Sequence, residues 1–181
     1  MPNNRQFQTA YVVSGDPTTT NETTPYAPGQ LGVEVTVKNT SAGADGGEGS
    51  KTFKYVQVDS TAPVAPYRGA VAWWSDKDLM KVTTDATNRG QVAGVFCGPY
   101  PQSGNYGFIQ IQGSAIVKFV DAPTAAPTAA GLIVIPSATD AKADCLASGS
   151  AATFPPLGRS NGVYDAANTQ CEVILTIQQV P

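Results

Sequence analysis

From Gly32 onward the chain is written in short runs of β-branched and aromatic residues, each closed by a cluster of Gly, Pro, Asn, Asp or Ser. In GVEVTVK, Val33, Val35 and Val37 alternate with Glu34, Thr36 and Lys38, the period-two signature of a half-buried strand. KTFKYVQVD at 51–59 is a second run. Phe53 and Tyr55 share one phase there while Val56 and Val58 take the other, so this strand is either covered on both faces or bulged. Further strands are predicted at RGAVAWW (68–74), LMKVT (79–83), GQVAGVFC (90–97), YGFIQIQG (106–113), AIVKFV (115–120), LIVI (132–135) and CEVILTIQ (171–178). One helical turn is predicted around Ala141–Ala147. Strands this short at this spacing specify an all-β protein, a small β-barrel or sandwich.

Residues 1–31 follow another rule. They hold TTTNETT at 18–24, four prolines and a few isolated large side chains, among them Phe7, Tyr11 and Tyr26. Proline removes ladder donors, and no 3.6-residue period is present. Such a segment lacks the apolar density to form its own core. The expected organisation is an extended N-terminal arm over 1–31 and a β domain over 32–181. Phe7, Tyr11 and Tyr26 are the candidate partner-binding residues, anchors that would lay the arm along a neighbouring chain; the other reading is a floppy terminus that docks on nothing.

Composition narrows the chemistry. The 181 residues include no His, which removes Ser-His-Asp and Cys-His catalysis and every His-ligated metal site. Three Cys cannot close a tetrahedral zinc site alone. No nucleophile–base pair and no facing carboxylates can be picked out, so no catalytic residue, cofactor or metal is expected, and the chain reads as a non-enzyme. Eleven Lys and Arg against fourteen Asp and Glu give a net charge of −3, unsuited to a nucleic-acid binder that must release counterions from a basic face. MPNNRQFQTAYVV has no apolar signal core, and no run approaches a membrane span. The expectation is a product made in a cell's cytoplasm, with Cys97, Cys145 and Cys171 as thiols rather than a disulfide framework.

Three motifs tempt and fail. ADGGEGSKT at 44–52 looks like a phosphate loop, but Asp45 and Glu48 repel phosphate and a strand follows where a helix N-terminus is required; it reads as a hairpin loop. Trp73 and Trp74 suggest a sugar-stacking platform, yet adjacent strand residues point to opposite faces. The better expectation is one ring in the core and one at a sheet face or interface. Asp76 and Asp78 resemble a fragment of a calcium loop without its later Gly and Glu, and read as a solvated turn.

The stretch 68–120 resembles the core of tailed-bacteriophage head decoration, or capsid cement, proteins. The residues that carry the resemblance are Ala93-Gly94-Val95, then Gly104-Asn105-Tyr106-Gly107-Phe108-Ile109-Gln110 with Gly113 closing the pair. A looser echo runs over 156–177. The resemblance implies a β core on the outside of an icosahedral head, bound to the major capsid protein as a homo-oligomer, with a trimer favoured. It also implies a virion protein made in the host cytoplasm that contacts neither nucleic acid nor membrane. Two other readings remain open: a tail or fibre component of a virion, and a carbohydrate-binding β module.

Overall fold

The computed structural model describes residues 31–39, 49–97 and 101–178. Within them the chain is all-β. The first six strands are β1 (Glu34–Asn39), β2 (Gly49–Val58), β3 (Val71–Asp76), β4 (Lys81–Thr83), β5 (Val92–Phe96) and β6 (Tyr106–Lys118). Four more follow: β7 (Ile133–Pro136), β8 (Ala143–Cys145), β9 (Gly158–Ser160) and β10 (Gln170–Thr176). They form a single sheet in the order β1-β2-β4-β3-β5-β6-β10-β9-β7-β8, and β2 pairs again with β6. That extra pairing turns β2, β4, β3, β5 and β6 into a partial ring. Its contacts are antiparallel except β2 with β4, where Gln57 lies beside Lys81 in parallel register.

Two apolar clusters explain the sequence pattern. One draws on every ring strand: Val56 and Val58, Ala72 and Trp74, Val82, Ala93 and Phe96, Ile109 and Ile111. Side chains supplied by all five strands meet on the inside of the ring. The second cluster takes the opposite face, with Phe53 and Tyr55 of β2, Trp73 of β3, Val95 of β5 and Phe108 of β6. Val117 from the far half of β6, and Val134, Cys145, Val173 and Leu175 from later strands, complete it. The two phases of β2 are therefore both buried. A register shift at Thr52/Phe53 opposite β6 adds the bulge. Each large side chain so buried contributes about 1.5–3 kcal/mol.

The two runs read as separate strands at 106–113 and 115–120 are one strand, β6. Gly113 is the joint, with φ +89°, and a Cβ there would meet the Ser50 carbonyl at 2.4 Å. Across it the side-chain phase inverts. Phe108 and Ala115, seven residues apart, face the same cluster, which strict alternation forbids. The first half of β6 pairs with β2 and β5, the second with β10. The far edge of the sheet, β8, returns to the chain just beyond β6 through one bridge, Phe119 to Ala143.

The helical turn expected at Ala141–Ala147 is not there. Those residues hold β8, whose Cys145 pairs with Val134 and whose Ala143 pairs with Pro136. Ala141, Ala143 and Cys145 are buried while Lys142 and Asp144 are half-buried, a period-two pattern. Pairing with β7 overrides the helix preference of alanine, and Ala141 itself sits at φ +61°, outside helical space. Among the described residues a single 3-10 turn occurs, at Ala86–Asn88, capped by the Asp85 side chain on the Thr87 N–H.

Candidate functional site

The strongest sequence signal, AGV followed by GNYGFIQ, folds into one place. Ala93-Gly94-Val95 lies on β5 and Tyr106–Gln110 opens β6, and the two strands pair through Val95 with Gln110 and Phe96 with Ile109. Gly94 is required by packing: an added Cβ would sit 2.8 Å from the Gln110 carbonyl and 2.9 Å from Ile109 Cδ1. Ala93 is the extra residue of a bulge, since Ala72 faces Gly94 while Trp73 faces Val92. The turn before β6 is fixed from β2. Gly104 sits at φ +86° and donates its N–H to the Val58 carbonyl at 2.9 Å, while the Val58 N–H donates to the Asn105 carbonyl at 2.9 Å. The Gln57 amide donates to both the Gly104 carbonyl and the Tyr106 hydroxyl, each at 3.1 Å. Tyr106 stacks on Tyr55, with ring centroids 6.4 Å apart.

Gln110 is the polar centre of this strand pair and is fully buried. Its Nε2 donates to the carbonyls of Gln112 at 3.0 Å and Ser114 at 2.9 Å, on either side of the Gly113 joint. Its Oε1 accepts from Cys97 Sγ at 3.0 Å. A buried amide that meets its partners holds a bend in a strand that a ladder alone would leave unpaired. A polar residue at an inward phase of the apolar run GFIQIQG was the signal for it.

Neither Trp is a binding platform. Trp73 is buried in the outer cluster and Trp74, only 5% exposed, in the ring. Lys54 closes over the second: its Nζ lies 5.7 Å from the Trp74 centroid and 3.2 Å from Glu34 Oε1. The edge of Trp74 lines a cleft of about 280 Å³ with Gln91, Val92, Pro155, Pro156 and Ile177. A shallower hollow beyond Gly90 is lined by Arg89, Asp140 and Phe154, with the Arg89 guanidinium 4.8 Å from the Phe154 ring centroid.

Four aspartates serve turns. Asp59 accepts from the Thr61 N–H at 2.9 Å and the Thr61 hydroxyl at 2.8 Å, bonds that hold its carboxyl below the usual range. Asp85 is lowered by the Thr87 N–H, and Asp165 by the Asn168 side-chain amide first. Asp76 accepts from the Leu79 N–H at 3.0 Å in the β3–β4 turn, as the solvated-turn reading expects. Among the described residues no three Cys, Asp or Glu side chains converge as a metal ion needs.

Cys145 and Cys171 pack in the outer cluster as small core residues. Burial pushes the Cys145 thiol up to about 12, and it raises Cys171 as well. Among the described residues the large exposed apolar side chains, Leu79, Val163 and Ile174, lie apart in the chain, in the β3–β4 turn, the β9–β10 link and β10. Phe7, Tyr11 and Tyr26 lie outside the described residues, as does the 40–48 loop. The strands that loop joins, β1 and β2, pair antiparallel as a hairpin from Asn39 and Gly49. The chain matches no protein-family model, no curated protein and no solved structure.

Proposed function

We propose that this chain is a viral structural protein of the head-decoration kind. It binds the outside of an assembled tailed-phage capsid and bridges major capsid protein subunits, as a homo-oligomer with a trimer favoured. The observation that supports this reading best is the β5–β6 pair. The two segments that carry the resemblance, 93–95 and 104–110, are adjacent in space, and Gly94 is the residue their contact demands. The two segments thus act as one unit of the fold.

The work done is mechanical. A protein that binds the assembled shell and not its free subunits stabilises the shell by mass action, about 2.7 kcal/mol per site when free chain stands at a hundred times Kd. Bridging neighbouring capsomers opposes the outward pressure of packaged DNA. The arm over 1–31, with Phe7, Tyr11 and Tyr26 as its anchors, supplies part of the attachment. No cofactor, nucleic acid or membrane enters this function, and no step of it is catalytic.

Co-sedimentation with empty expanded heads of the virus that encodes the chain tests the proposal, with unassembled capsid subunits as the control. Pelleting with heads alone is expected. Binding to tails instead would give the function to a tail or fibre component. Glycan binding by the isolated chain would favour the carbohydrate reading, which the separate burial of Trp73 and Trp74 already disfavours.

A further inference from the structure

We propose that Asn161-Gly162, in the link between β9 and β10, is a site of spontaneous backbone rearrangement that converts Asn161 to isoaspartate and aspartate. The chemistry is intramolecular. The backbone nitrogen of Gly162 attacks Cγ of Asn161, forming an N–Cγ bond; the Cγ–Nδ2 bond breaks and ammonia leaves. Water then opens the five-membered imide at either carbonyl, returning aspartate or, by the other cleavage, isoaspartate with one more atom in the main chain.

Three observations single this position out. Asn161 is the one asparagine in the sequence followed by glycine. Every other precedes Asn, Arg, Glu, Thr or Tyr, whose side chain crowds the attacking nitrogen. Asn161 is also exposed and outside any strand, and a Cβ placed on Gly162 would meet nothing within 4 Å, so water reaches the link and no group from elsewhere in the fold crowds it. Among the described residues, two other carboxamides are held. Asn88 Nδ2 donates to the Trp74 carbonyl at 3.0 Å and Asn168 Nδ2 to Asp165 Oδ2 at 2.7 Å.

The link is not idle. Asn161 donates its N–H to the Glu172 carbonyl at 2.8 Å, and the Cys171 thiol donates to the Gly162 carbonyl at 3.4 Å. Rearrangement therefore puts a new carboxylate, and in isoaspartate a longer backbone, where β10 begins. A shell protein that is not turned over would accumulate this change with age.

The full chain, incubated in mildly alkaline buffer and mapped by peptide mass spectrometry with enzymatic isoaspartate detection, tests the assignment. The amide-to-acid mass gain should appear first and most in the peptide carrying Asn161, and that peptide should score for isoaspartate. Gly162→Ala, which the open space around Gly162 tolerates, should slow it by an order of magnitude or more, and Asn161→Gln should abolish the isoaspartate signal. Faster conversion at another asparagine overturns the proposal. So does an unchanged rate at Asn161 in Gly162→Ala.

Discussion

Trp73 and Trp74, neighbours in sequence, are buried in two different cores on the two faces of β3. Trp73 pairs across the sheet with Thr83 and Trp74 with Val82. Both rings are structural, so Trp73→Ala and Trp74→Ala should each lower stability by about 3–5 kcal/mol. Urea unfolding of the two variants measures this. A platform built to hold sugar would lose glycan binding at unchanged stability.

Gln110→Leu removes the donor that closes the Gly113 joint. Two carbonyls, of Gln112 and Ser114, lose their partner, at about 1–3 kcal/mol for each that stays buried. Gln110→Glu should also destabilise, because a carboxylate accepts and cannot donate to either carbonyl. Thermal melts of both variants check the prediction, and an unchanged Tm in both would mean that the ladder holds the bend unaided.

Gly94→Ala is expected to be worse than Gly162→Ala, although neither backbone is left-handed. The first places a methyl 2.8 Å from the Gln110 carbonyl, the second places it in open space. A loss of about 1–3 kcal/mol, the range for overpacking a core, is expected at Gly94. Denaturant midpoints of the two variants side by side provide the comparison.

The thiols give a pH dependence with a definite sign. Folding raises Cys145 from 9.0 to about 12 and raises Cys171, so the native state holds protons that the unfolded chain releases. Their contribution is full below 9.0 and falls as pH climbs from there toward 12. A thiol reagent in neutral buffer should leave both residues untouched until denaturant is added. Rapid native labelling of Cys145 would contradict the burial that causes the shift.

Deleting residues 1–30 should leave the β domain folded, since Leu31 and Val33 pack against the outer cluster and stay in place. The same deletion should weaken attachment to heads, because each aromatic anchor lost forfeits about 1.5–3 kcal/mol of burial, less the entropy of ordering the arm. Circular dichroism and head binding of the truncated chain separate the two effects. Unchanged affinity would remove the arm from the function.

Most of the strand positions were legible, but not their order in the sheet. Phe53 and Tyr55 against Val56 and Val58 left a two-faced or a bulged strand open, and β2 is both. The pair Trp73-Trp74 pointed to one ring in a core and one at a sheet face, whereas both rings are buried in cores. The helical reading of 141–147 failed because three short residues, Ala143-Asp144-Cys145, carry too little pattern to outweigh alanine's helix preference; only their pairing with β7 decides. Likewise β9 is three residues after Pro155-Pro156, and its Gly158 is needed because a Cβ would fall 1.9 Å from the Ile174 carbonyl. That constraint comes from a strand sixteen residues away and is invisible locally. Of the site, the two strands were readable from AGV and GNYGFIQ but their pairing was not, while the cleft beside Trp74 joins residues from 74 to 178 that no local pattern connects.

The proposed function requires the chain to fasten to an assembled shell. Cryo-electron microscopy of empty expanded heads mixed with the purified chain puts this to the test. Added density is expected on the outer surface, repeated at equivalent positions and bridging adjacent capsomers. Heads that stay bare at saturating chain, or density found only on the tail, would contradict it.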